Sequence, residues 1–347
     1  MKTGMSVIAA VGLAVGALSD LAVGETLMFG GPTMGTTYHV RLVAARTVDI
    51  ERLQADVEKL LAKIDRQMST YRPDSELSRF NRAPAGEWYG VSAATAEVVA
   101  AAQEISRATG GALDVTVGPL VRLWHFGPKG KRSGSGPGGG RFKPPSVDAL
   151  RAAKEAVGYQ KLAVRIEPPA LRKQIDRLEV DLSSIAPGYA VDSLAALLAE
   201  RGHRAFMVEI GGEVRTAGCR DDGKPWRVAI ERPVAKRREM QMAVPLADAA
   251  ISTAGDYRKF FEHAGRRYSH ILDPATGRPV EHALASVTVV ADTCLEADGW
   301  DTPLLVMGPE RGYECAEKHG VAAMFITRGD EGEGVRETTA WRAEFGD

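Results

Sequence analysis

The stretch "AFMVEIGGEVRTAG", residues 205–218, decides the fold class. Two strand-like runs flank Gly211-Gly212, and a Gly-Gly link between such runs signals a hairpin and hence antiparallel pairing. Just upstream, "YAVDSLAALLAERG" (189–202) reads as a helix with Gly202 past its end, and "RLEVDL" (177–182) reads as a strand. Further strands are expected at about 226–231, 241–245, 266–271 and 284–290, with a last one at "VAAMFIT" (321–327). Towards the N-terminus, "TTYHVRLVA" (36–44) alternates like a strand. Between Val48 and Met68, Ile50, Leu53, Val57, Leu60, Leu61 and Ile64 recur at helical spacing. A second helix is expected from Ala93 to Thr109, stopped by Gly110-Gly111. Long helices interspersed with hairpin-linked strands predict an α+β fold of mixed helices and mainly antiparallel sheet.

The chain has 347 residues, enough for one large domain or two ordinary ones. Hydrophobic residues make up 44% and charged residues 26%, which predicts a globular core. A net charge of -1 argues against a basic nucleic-acid-binding surface, so any bound anion must be gripped locally. Three widely spaced cysteines, Cys219, Cys294 and Cys315, exclude a disulfide framework and suggest buried free thiols. Lys2, an apolar run from about Met5 to Leu18 and then Ala22-Val23-Gly24 read as an export signal over residues 1–24. The alternative is a membrane association through an uncleaved N-terminal segment, although the run is shorter than a spanning helix requires. Residues 25–347 then form one domain in the periplasm. "GPKGKRSGSGPGGGRFKPP" (127–145) is read as a mobile internal loop, because the segments on both sides look like parts of one site.

Four stretches look over-specified for structure alone. "GPTMGTTY" (31–38) joins glycines and hydroxyls to a strand, and N–H groups in such a turn can hold an anion. "TGGALDVTVGPL" (109–120) is a Gly-Gly turn followed by Asp114. "DLSSIAPGYAVD" (181–192) runs into a helix whose N-terminus can face a phosphate. "YSHILDPATGRPV" (268–280) places His270 near a strand end. Each also has a plain reading as a turn, a strand–helix corner or a packed histidine. The common hydrolase, zincin, P-loop and Cys-x-x-Cys signatures are absent.

"EADGWDTP" (296–303) is a fifth case. Thr293 and Glu296 form a capping-box pattern and "LLVMG" continues the helix, yet Asp298, Gly299, Asp301 and Pro303 are poor helix-interior residues. Asp298 and Thr302, four residues apart, share a face and present two hard oxygens, as a magnesium site prefers. A kink or open turn is expected near Gly299, letting backbone and metal approach. The plain alternative is solvated aspartates and a packed Thr302.

Eight blocks in order, "GPTMGTTYHV", "YRPDSELSRFN", "GGALDVTVGPLVRLWHFG", "VDLSSIAPGYAVD", "VEIGGEVRTAG", "STAGDYRKFF", "YSHILDPATGRP" and "EADGWDT", resemble the signature of the ApbE-type flavin transferases, FAD:protein FMN transferases, over about residues 30–330. The resemblance implies an ApbE/T-fold-like domain. It also implies Mg²⁺-dependent transfer of FMN from FAD to a threonine hydroxyl of an acceptor protein, a membrane redox-complex subunit, with release of AMP. Met34 and Tyr71 would line the flavin site, and Ala112, Leu113 and Asp114 would contact FAD. His270 would lie beside the nucleotide, and His270 and Asp298 would be the catalytic pair. Asp298 and Thr302 would bind the metal with a backbone oxygen of Ser184. Pro187 stands where the family commonly has a lysine facing the nucleotide, Ala254 where serine is frequent, and the 296–303 helix is usually alanine-rich. The competing readings are a FAD pyrophosphatase yielding FMN and AMP, and a non-catalytic flavin-binding protein.

Overall fold

The computed structural model describes residues 24–45, 47–127, 142–234, 239–257, 259–329 and 332–346. The export signal, and most of the loop expected at 127–145, lie outside them. Eight strands form the main sheet: β1 (Glu25–Thr33), β2 (Thr36–Ala44), β3 (Phe206–Ile210), β4 (Glu213–Ala217), β5 (Ala250–Gly255), β6 (Leu284–Ala291), β7 (Ala322–Gly329) and β8 (Gly332–Glu337). They lie in that spatial order, and every neighbouring pair is antiparallel. The β3–β4 hairpin turns through Gly211 and Gly212, both at positive φ. Alternation alone sets β2, whose Tyr38, Val40 and Leu42 are buried while Thr37, His39 and Arg41 face out or lie near the surface.

Four helices cover one face: α1 (Ile50–Met68), α2 (Ala93–Ala108), α3 (Ala186–Glu200) and α4 (Cys294–Met307). Leu53, Val57, Leu61, Ile64 and Met68 form the buried stripe of α1, each contributing roughly 1.5–3 kcal/mol on burial. Side-chain caps start three of these helices: Asp49 accepts from Arg52 N, Ser92 from Thr95 N, and Thr293 from Glu296 N. The opposite sheet face packs Val214, Ile251, Met324 and Ile326 against Ile230, Val244, Leu246 and Trp341. A smaller cluster gathers Leu120, Trp124, Phe142, Leu150 and Leu272, with Trp124 Nε1 donating to Gly277 O at 2.8 Å. Phe142, inside the low-complexity stretch, is thus a buried residue.

Several expectations are corrected. Residues 177–182 are not a strand; they make one parallel bridge, Val117 to Glu179, while Leu178, Val180 and Leu182 point into the core. Core burial gives that segment its apolar alternation without a ladder partner. α3 begins three residues earlier than the sequence suggested, with Pro187 in its first turn. The strand at 322–329 is followed by another, β8, and the strands β1 and β5 carried no clear signal. Cys294 and Cys315 are buried free thiols, but Cys219 is exposed. Among the described residues no helix is long and apolar enough to cross a membrane.

Candidate functional site

The site is built where the start of α3 meets the middle of α4. Gly188 N–H donates to Asp298 Oδ2 at 2.8 Å. A Cβ on Gly188 would stand 2.7 Å from Cys294 C and 2.8 Å from Asp298 Cβ, and closer still to Cys294 O. Only glycine lets the two helices meet so closely. α4 itself runs unbroken from Cys294 to Met307, through Gly299 and Pro303. No open turn forms at Gly299. Its bare Cα faces the core, where a Cβ would collide with Ile105 Cδ1 and lie 3.3 Å from Ile185 Cδ1. Gly299 therefore serves packing between α4, α2 and the segment before α3, rather than an approach of backbone to metal.

Acidic groups crowd this junction. Asp298 is 4% exposed and Asp301 2%. Asp301 Oδ2 accepts from Ser252 Oγ of β5 at 2.7 Å, whereas its buried Oδ1 has no partner. Glu213, first residue of β4, lies close enough to feel the charges of Asp298 and Lys259. Burial first, then the Asp301 charge, holds the Asp298 carboxyl well above the usual carboxylate range. Burial likewise raises Asp301, helped by Glu213, and burial with the Asp298 charge pushes Glu213 up to about 8. Burial also raises the Cys294 thiol, reinforced by Asp192, Asp298, Glu213 and Asp301, so it is no nucleophile. Asp301, Glu213 and Asp192 escaped the sequence reading. The usable signals were the three-residue spacing of Asp298 and Asp301, and an acid directly after the Gly-Gly turn.

The start of α3 was expected to offer N–H groups to a phosphate, and the backbone accounting contradicts this. Ile185 and Ala186 both donate to Leu182 O, Pro187 has no N–H, Gly188 serves Asp298, and Tyr189 donates to Ile185 O. From Ile185 to Tyr189 no donor is spare, and Pro187 adds no cation.

The remaining expected residues lie on other elements. Met34 (φ 43) and Gly35 (φ 78) form the two-residue turn joining β1 to β2, a geometry that fits a type I′ hairpin. Gly211, beside the Thr36 end of that turn, abuts the Glu213 carboxylate. Tyr71 is 53% exposed and feels the charge of Asp181, in the segment leading to Ser184. Asp181 N donates to Val115 O at 2.8 Å, joining that segment to Ala112–Asp114. Leu113 is buried, and Asp114 is saturated by the chain: Oδ1 accepts from Thr116 N and Oγ1, and Oδ2 from Tyr159 N. Its carboxylate thus shapes the loop, and contact with a nucleotide would fall to the backbone there. His270 Nδ1 lies 3.1 Å from Lys259 O, and its ring meets Phe126 edge-on. Burial, then Lys259, pushes the imidazole pKa down to about 4.

Asp298 and Thr302 lie one turn apart on α4, and Ser184 stands two residues before α3. Among the described residues, no three His, Cys, Asp or Glu side chains are arranged to hold a metal.

Comparison with known proteins fits this geometry. The ApbE family pattern matches residues 34–325. A FAD:protein FMN transferase of Vibrio cholerae is 45% identical over 309 residues, covering 89% of each chain. The solved flavin transferase ApbE from Vibrio cholerae superposes with a TM-score of 0.83 at 41% identity, over 93% of this chain and 100% of that one. The apo flavinyl transferase ApbE of Pseudomonas stutzeri gives the same TM-score and identity, over 93% and 98%. These likenesses make the chain a member of the ApbE family.

Proposed function

We propose that the chain is a FAD:protein FMN transferase that uses Mg²⁺, modifies a threonine of an exported or membrane redox-complex subunit, releases AMP and acts in the periplasm. The observation carrying this reading is the buried acidic junction of α3 and α4, which has oxygen donors, an orphaned Asp301 Oδ1 and little cationic compensation. Buried carboxylates with raised pKa values are stabilised as anions by a divalent cation. Asp298, Thr302 and the backbone oxygen of Ser184 would hold the ion, all hard oxygens of the kind Mg²⁺ takes. When bound, Mg²⁺ would neutralise the pyrophosphate charge, a task that neither α3 N–H groups nor residue 187 can perform here.

The chain's own groups do the rest. Tyr71 offers an exposed aromatic face to a flavin ring, and Met34 would line the same site. Ala112 and Leu113 present backbone to the nucleotide. The acceptor threonine oxygen attacks the FMN phosphorus, the bond to the bridging oxygen breaks, and AMP leaves. The threonine proton goes to His270. A hydrogen on Nδ1 facing Lys259 O leaves Nε2 as the acceptor. Incubation with FAD and Mg²⁺, with and without a threonine-bearing acceptor domain, tests this. Acceptor-dependent AMP release supports transfer. Equal AMP and free FMN without acceptor would show a pyrophosphatase, and intact FAD a carrier.

A further inference from the structure

Asp192, on α3 one turn beyond Gly188, ties together the three elements that carry the acidic site. Its Oδ1 accepts from Cys294 N at 2.9 Å and its Oδ2 from Leu295 N at 2.8 Å, the first two residues of α4. It also pairs with Arg215 of β4, two residues from Glu213 and so on the same strand face. Asp298 lies four residues beyond Cys294, one helical turn from this clasp. Gly188 lies four residues before Asp192 and holds Asp298 directly. α3 and α4 are thus pinned at two points a turn apart, and the outer pin is charged.

We propose that Asp192 is a positioning residue: by clasping the α4 N-terminus and Arg215, it fixes the Asp298–Thr302 face of α4 against the start of α3, where Ser184 lies. A carboxylate suits the place, since the first N–H groups of a helix lack helical partners and the positive end of the helix dipole favours an anion. A neutral side chain would leave Arg215 uncompensated and free α4 to slide against Gly188. This inference rests on the reading that α4 binds the metal.

The test is Mg²⁺ half-saturation, read by thermal shift in the presence of FAD and separately by FAD turnover, for wild type, Asp192→Ala, Asp192→Asn and Leu198→Ala. Leu198 is buried on the same helix and far from the clasp, so its truncation lowers stability without touching the α4 terminus. Asp192→Ala is expected to raise half-saturation about tenfold, as loss of a group supporting a ligand does. Turnover should be largely restored at saturating Mg²⁺. Asp192→Asn, with one acceptor oxygen left, should fall between wild type and alanine. Leu198→Ala should lower the melting temperature with half-saturation near wild type. Asp192→Ala behaving like Leu198→Ala would overturn the proposal. If the alanine variant does not fold, an asparagine variant with wild-type half-saturation would overturn it equally. A wild-type protein that shows no Mg²⁺ response would instead overturn the metal reading, and this inference with it.

Discussion

Replacing Gly188 by alanine tests the helix junction most sharply, because the expected sign is opposite to the usual one. In a helix, glycine to alanine normally stabilises by about 1 kcal/mol. Here the new methyl meets Cys294 C at 2.7 Å and Asp298 Cβ at 2.8 Å, backbone and branch-point atoms that cannot swing away. α3 and α4 must part. Overpacking of this kind costs roughly 1–3 kcal/mol. Loss of the Gly188 N–H to Asp298 bond adds about 1 kcal/mol. Less the propensity gain, the net is a loss of about 1–3 kcal/mol. Urea unfolding of the apo protein measures it directly, and Mg²⁺ affinity should fall in the same variant. Gly299→Ala is the internal control: its methyl meets the movable end of Ile105, so it should cost less and leave Mg²⁺ affinity unchanged. A Gly188→Ala protein as stable as wild type, or more so, would refute the close-contact reasoning.

Other outcomes follow from the same geometry. Asp298→Ala should abolish Mg²⁺-dependent FAD cleavage while leaving the apo protein folded, since loss of the Gly188 N–H bond is offset by removal of a buried carboxyl; Thr302→Ala should impair cleavage less, because a neutral ligand is lost. Glu213, raised to about 8, and the buried aspartates bind protons more tightly folded than unfolded. The stability these three acids contribute to the apo protein is fully present below the unfolded carboxylate range and declines as pH rises towards 8. Melting temperatures across pH 5–9 in EDTA check this, and added Mg²⁺ should flatten the decline; apo stability that climbs with pH would contradict it. Pro187→Lys should tighten FAD binding by calorimetry, since it places a cation near a site with no spare N–H donors, and an unchanged affinity would mean residue 187 does not face the phosphates.

Local chemistry made much of this legible in the sequence. The Gly211-Gly212 hairpin, the α1 stripe, the cap at Thr293 and the pairing of Asp298 with Thr302 on one helix face all rest on neighbours within a turn or a strand. Long-range facts stayed hidden. Residues 177–182 alternate like a strand because the core takes Leu178, Val180 and Leu182, and sequence cannot reveal that no ladder partner exists. Gly299 looked like an opening towards a metal, but its missing side chain makes room for Ile105, 194 positions earlier in the chain by the numbering. Asp301, Glu213 and Asp192 are ordinary acids until three elements bring them together. The donor count at the start of α3 likewise needs Leu182 and Asp298 in view at once.

The central claim is flavin transfer at the Asp298 junction. Its most direct test is mass spectrometry of a flavin-accepting domain with its target threonine, after incubation with the protein, FAD and Mg²⁺. The account predicts one FMN joined to that threonine for each AMP released, lost in EDTA and in Asp298→Ala. An unmodified acceptor alongside free FMN and AMP, or full flavin attachment by Asp298→Ala, would contradict it.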